Sequence, residues 1–220
     1  MFTIISAIIG AVVGVGINWL ADCFTARYSL QHKFYSRWRA PIVVIVAALA
    51  FAFLSVRFGT STTFFLTAIY TAIFLLVFVT DIEHRLIFNI VMLPSILFAA
   101  IASVLLLPRW QLYLLGGVIA FIIVFGIYIF AQLFARLRHL NVAGGVFGQG
   151  DVKLATFMGI VVGFPAVVAA ILYTIVLGGI GAILFLGYQL VVHRRLALSA
   201  AIPYGPFFCI AGWAIMAFQS

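Results

Sequence analysis

Apolar runs separated by short polar turns occupy this sequence from end to end, and eight of them can be delimited. Their bounds read as 4–20, 41–56, 64–80, 90–107, 112–134, a short run from 152 that stops near Pro165, 167–192, and a last run ending near Phe218. Several approach the roughly 20 residues needed to cross a bilayer. With 67% hydrophobic and 7% charged residues, a soluble domain could not cover so much apolar surface. The expected fold class is all-α: a polytopic helical membrane protein with about eight transmembrane helices, residues 1–220 forming one membrane-embedded domain. The break at Pro165 is the weakest boundary, since that proline could also kink one longer helix. Residues 1–20 carry neither a basic n-region nor a small-residue cleavage site, so they read as a retained helix.

A net charge of +8 would suggest nucleic acid in a soluble chain. Here the placement of the cations explains it, and no nucleic-acid partner is expected. If the 21–40 loop is cytoplasmic, the inner side holds Arg27, Lys33, Arg37, Arg39, Arg85, Arg136, Arg138, Lys153, Arg194 and Arg195, and the outer side only Arg57 and Arg109. That asymmetry is the one that orients helical membrane proteins. Both chain termini then face outward. Cys23, in a loop, and Cys209, in the last run, form no spaced cluster, so neither a disulfide framework nor a zinc site is expected.

Acids are scarce: Asp22, Asp81, Glu83 and Asp151 are all there are. An acid where a loop enters a membrane helix is costly and marks a functional site. Asp151 follows Gly148-Gln149-Gly150 and opens the sixth run. Alone, that string is more often a glycine turn whose aspartate caps a helix. The chain around it reverses the odds. Asp81 closes an inward-going helix, Asp151 opens an outward-going one, and antiparallel packing would bring the two carboxylates together. Such a pair shares a proton, one member acting as base toward water and the other as acid toward a carbonyl oxygen. That is peptide hydrolysis without metal or covalent nucleophile. A metal site built on Glu83, His84, His139 and His193 lacks any ligand spacing, such as His-Glu-x-x-His.

Plainer expectations attach to other polar residues. Glu83 and His84 read as part of a solvated turn over 81–89. Lys153 reads as a snorkelling surface lysine, Asn89 as a helix N-cap, and Asn18 as one interhelical hydrogen bond. Gly10, Gly14 and Gly16 suit close helix packing in lipid.

Together these motifs resemble the type IV prepilin peptidases. Asp81, with Asn89 and then Leu93-Pro94, resembles the family's first catalytic motif. Gly148-Gln149-Gly150-Asp151-Val152-Lys153-Leu154 resembles the second, shared more distantly with archaeal preflagellin peptidases. Ile202-Pro203-Tyr204-Gly205-Pro206-Phe207 is similar to the family's C-terminal segment, Gly14-Val15-Gly16-Ile17-Asn18 to part of its first helix, and 36–41 to the stretch leading into its second. The resemblance implies that Asp81 and Asp151 are the catalytic aspartates of an intramembrane aspartic peptidase, with Gly148 and Gly150 shaping the loop beside Asp151. It implies prepilin or pseudopilin precursors as substrates, cut on the cytoplasmic face of the inner (plasma) membrane, usually after a glycine, with the precursor's apolar helix left in the bilayer.

The sequence also departs from the family. The 21–40 loop stands in place of a larger cytoplasmic domain that often carries two Cys-x-x-Cys pairs, and it holds Cys23 alone, with His32 as the one supplement. Val44 stands where a glutamate is common, Phe88 where a proline, Asn89 where an aspartate and Val15 where a serine. No cofactor is expected for the peptidase, neither zinc nor S-adenosylmethionine is expected to bind, and cleavage is expected without N-methylation. The competing expectation is a small proton- or cation-coupled transporter, which would place its acids at mid-span within an internal repeat. A catalytically idle scaffold of a pilus or secretion machine is the third.

Overall fold

A computed structural model describes residues 1–28, 36–137, 148–188, 190 and 203–219. Eight helices run through them: α1 Phe2–Arg27, α2 Ser36–Phe58, α3 Thr62–His84, α4 Asn89–Leu106, α5 Trp110–Leu137, α6 Gln149–Val162, α7 Ala166–Tyr188 and α8 Gly205–Phe218. The expected all-α membrane architecture is what is found. Six of the helices are long and apolar enough to cross a membrane. The other two, α6 and α8, have 14 residues each, or about 21 Å at 1.5 Å per residue.

Those two short helices explain the arrangement of the rest. Nearly every residue of α6 from Val152 onward is buried, so it is apolar all round because protein surrounds it. It packs against α4, α5, α7 and α8, and Phe157 meets the rings of Tyr70 and Phe74 on α3 edge-on. Helix α8 lies against α3, α6 and α7. Its Gly212 leaves room for Met158 and Phe74, whose atoms an added Cβ would meet at 2.6 and 3.1 Å. The core is therefore built around the helix that carries Asp151.

Small residues set the closest approaches. A Cβ at Gly10 would sit 2.6 Å from the Ala47 carbonyl oxygen and one at Gly14 would sit 2.7 Å from the Val44 Cα, so α1 and α2 touch backbone to backbone. Gly116 of α5 and Gly159 of α6 make the same kind of contact. In lipid, where apolar burial does not drive helices together, such notches hold them through dispersion. Gly16, by contrast, faces open space.

Several boundaries differ from the sequence reading, for local reasons. Helix α1 continues through Asp22 and Cys23 to Arg27, because Asp22 finds a cation and the amphipathic turn continues to pack. Cys23 is thus helical and exposed, and only 28–35 separates α1 from α2. Pro41 lies inside α2 as its sixth residue, so the helix starts ahead of the expected boundary and forgoes one backbone hydrogen bond there. Helix α3 continues past Asp81 to His84 and stops at Arg85, which takes the left-handed conformation at φ 56° and donates its amide to the Asp81 carbonyl, 2.8 Å. Gly163, at φ 75°, separates α6 from α7, and the next amide, of Phe164, bonds the Leu112 carbonyl at 2.8 Å. His32, Lys33, Arg138, His139, His193, Arg194, Arg195 and Ile202 lie outside the described residues.

Candidate active site

Asp81 sits in the last turn of α3 and is 4% exposed. Against it lies the start of α8. The Gly205 amide is directed at the Asp81 carboxyl group, and a Cβ on Gly205 would fall 2.5 Å from Asp81 Oδ2. Only glycine allows that approach. Among the described residues, Oδ2 has no hydrogen-bond partner of normal geometry. A buried carboxylate oxygen short of partners costs free energy, and such a group calls for an explanation.

Asp151 sits in the first turn of α6, where the exposed amides of a helix N-terminus favour an anion. The Gly148 amide donates to its Oδ2 at 3.2 Å, and the Asp151 amide returns to the Gly148 carbonyl at 3.2 Å. Gln149 and Gly150 belong to the helix, not to a loop as expected. The second glycine has its own reason: a Cβ at Gly150 would lie 2.8 Å from the Ile87 Cβ. Its absence lets α6 begin directly against the segment that follows Asp81.

The structure brings the two aspartates to one end of the bundle. Asp81 and Asp151 lie within Coulombic reach of each other, and buried Cys209, four residues into α8 from Gly205, lies within reach of both. The described elements at this end also hold Arg27, Arg39, Arg85, Arg136 and Lys153, whereas Arg57 lies at the other end beside the Phe218 carbonyl. No three His, Cys, Asp or Glu side chains converge as a metal site among the described residues.

Glu83 and His84 are not solvated. Their side chains are 6% and 5% exposed. Glu83 accepts two hydrogen bonds from one Arg39 guanidinium nitrogen, at 3.0 and 2.8 Å. The same guanidinium reaches Asp22 and donates from Nε to Asn18 Oδ1 at 3.1 Å. His84 Nε2 lies 2.8 Å from Thr25 Oγ1. Asn18 therefore does more than bridge α1 to the Ala40 carbonyl at 3.2 Å; it also orients Arg39. This lock ties the ends of α1, α2 and α3.

Two further expectations change. Lys153 does not snorkel free: its Nζ lies 2.6 Å from Asn89 Oδ1. Asn89 is the first residue of α4 and Phe88 is the N-cap, so the Asn89 side chain serves Lys153, not the helix end. Phe88 itself is gripped by the rings of Phe24 and Tyr28, each with centroids 5.0 Å away. Gly205, which the sequence reading placed in the 202–207 segment without giving it a role, is brought against Asp81 by the fold. Its one signal is the Tyr204-Gly205-Pro206 string opening the last apolar run.

The model of the type IV leader peptidase family matches residues 68–183, a stretch that contains both aspartates. A prepilin leader peptidase/N-methyltransferase of Bacillus subtilis (strain 168) is 31% identical over 179 residues, covering 81% of this chain and 64% of the relative. One of the same description from Stutzerimonas stutzeri is 24% identical over 201 residues, covering 90% of this chain and 63% of the relative. The chain thus spans a little under two thirds of the length of these relatives. No solved structure matches it.

Proposed function

The chain belongs to the type IV leader peptidase family, and from that premise we propose that it is an intramembrane aspartic endopeptidase that removes the leader of prepilins or pseudopilins at the cytoplasmic face. The observation that carries this reading is the placement of Asp81 and Asp151 at one end of the bundle, within each other's field, with one Asp81 oxygen unpartnered. Two neighbouring carboxyl groups hold one proton more readily than none. The ionised member takes a proton from water as the water attacks the scissile carbonyl. The protonated member donates to the carbonyl oxygen; as the tetrahedral intermediate collapses it takes a hydroxyl proton back, and the first member passes the proton it took from water to the leaving amine. The Gly148 amide holds Asp151 and the Gly205 backbone lies against Asp81 Oδ2, so backbone positions the carboxylates without adding charge. The cations at the same end support a cytoplasmic orientation.

Cleavage without methylation is part of the proposal. The supporting observation is that α1 and α2 together leave only 28–35 between them, too little for a folded domain of its own. The peptidase reaction as drawn calls for neither zinc nor S-adenosylmethionine. The test is co-expression with a tagged prepilin in a host lacking its own leader peptidase. A mobility shift is expected, and mass spectrometry of the product should find an unmodified N-terminus. An uncut prepilin would overturn the peptidase, and one added methyl would overturn the second part alone.

A further inference from the structure

Two apolar grooves of similar size open on the outer surface, about 650 Å³ and 570 Å³. The first has α3 as its floor, with Thr71, Phe74 and Phe78. Val46 and Leu49 of α2 form one wall, and Cys209 and Trp213 of α8 the other. The second runs between α1 and α3 past Val13, Ile69, Ala72 and Leu76. Helical spacing separates their destinations. Thr71, Phe74, Phe78 and Asp81 follow one another at three, four and three residues, one face of a helix. Gly205, Cys209 and Trp213 recur every four residues on the facing helix. The first groove therefore leads up to Asp81. The face of the second, Ile69, Ala72 and Leu76, continues to Glu83, which Arg39 already holds.

The first groove also has a closed foot. Trp213 Nε1 donates to Thr71 Oγ1 at 3.0 Å, and the Phe53 ring meets those of Trp213 and Phe218, with centroids 6.1 and 5.4 Å away. From Thr71 to Asp81 is ten residues of α3, or about 15 Å. The outer rim is open, since Val46 and Leu49 are exposed. What enters such a groove at membrane depth must satisfy its own backbone hydrogen bonds, which restricts a peptide to a helix. A helix of that length turns three or four side chains to one face.

We propose that this groove between α2, α3 and α8 seats the apolar helix of the precursor, entering sideways from the bilayer, with its N-terminal end delivered to Asp81. The proposal rests on the peptidase reading. It sets the cleavage junction at the groove's head and fixes the substrate by apolar shape for about three turns below it.

The test uses the full-length chain in membranes, co-expressed with a prepilin tagged at its C-terminus. A photoreactive residue replaces Val46 or Leu49 in the first groove, and Val13 or Ile69 in the second. Adducts with the tagged prepilin are expected from Val46 and Leu49 well above those from Val13 and Ile69. Equal yields, the reverse order, or adducts with lipid alone from Val46 and Leu49 would overturn the proposal. As a second arm, Leu49→Trp and Val46→Trp, both on the exposed rim, should lower cleavage about tenfold at limiting prepilin and little at saturating prepilin. Unchanged cleavage in both would also overturn it. Failure of the unsubstituted chain to cut the prepilin would instead overturn the peptidase, while cutting without groove dependence removes only the groove.

Discussion

Asp81 and Glu83 are two residues apart on α3 and equally buried, at 4% and 6% exposed, yet they are treated in opposite ways. Two residues turn a helix by about 200°, so the acids face different neighbours. Glu83 points into the lock of Arg39, Asn18 and Asp22, where its oxygens accept charge-assisted hydrogen bonds. Asp81 faces α8, where the Gly205 backbone lies against its Oδ2, with Asp151 of α6 within electrostatic reach, and that oxygen has no partner of normal geometry among the described residues. Burial does not distinguish a structural acid from a chemical one. The company each keeps separates them: Glu83 has a set of charge-assisted partners, and Asp81 Oδ2 has none among the described residues.

The sharpest way to break this comparison is to neutralise each acid in turn. Asp81→Asn and Asp151→Asn should each reduce prepilin cleavage by about 10³-fold or more, within the range of acid–base catalysis, with membrane levels unchanged on an immunoblot. Residual activity near that of the unsubstituted chain in either would end the dyad mechanism. Gly205→Ala comes next. Its methyl group would displace the Asp81 carboxylate, and a misplacement of that order costs about 100-fold in rate. The measurement is a cleavage time course on protein matched for amount.

Glu83→Ala should do the reverse, lowering stability before it lowers turnover. Removing Glu83 takes charge-assisted hydrogen bonds from Arg39, which keeps Asp22 and Asn18, and costs about 2 kcal/mol. The expected outcome is a lower melting temperature in detergent, with the cleavage rate per folded molecule within severalfold of the unsubstituted chain. If instead stability holds and turnover vanishes, Glu83 is the chemical acid and the comparison inverts. The smallest effect is expected from Lys153→Met, which removes the bond to Asn89 at a partly exposed position and should cost about 1 kcal/mol or less. A thermal-shift measurement would show it.

The sequence made some of this legible and hid the rest for identifiable reasons. Eight apolar runs were readable because hydropathy is local, and both aspartates stood out because acids are so scarce in this chain. The ends of α1 and α3 were misread because their last turns are polar and owe their helical state to distant partners. Arg39 reaches back to Asn18 and forward to Glu83, and Thr25 reaches His84, 59 residues away. No window along the chain contains both members of these pairs. Gly205 was hidden more completely, since its importance comes from the backbone contact it permits and not from any group it carries.

The position of α8 has a consequence in time. Of the described helices it is the last to leave the ribosome, yet it covers the aspartate on α3, made more than a hundred residues earlier. Until Gly205 arrives, Asp81 lacks the amide that faces it, the wall bearing Cys209 and Trp213 does not exist, and Phe74 and Met158 lack their cover. Chains interrupted before this point during synthesis would carry both acids with the α8 side of Asp81 uncovered.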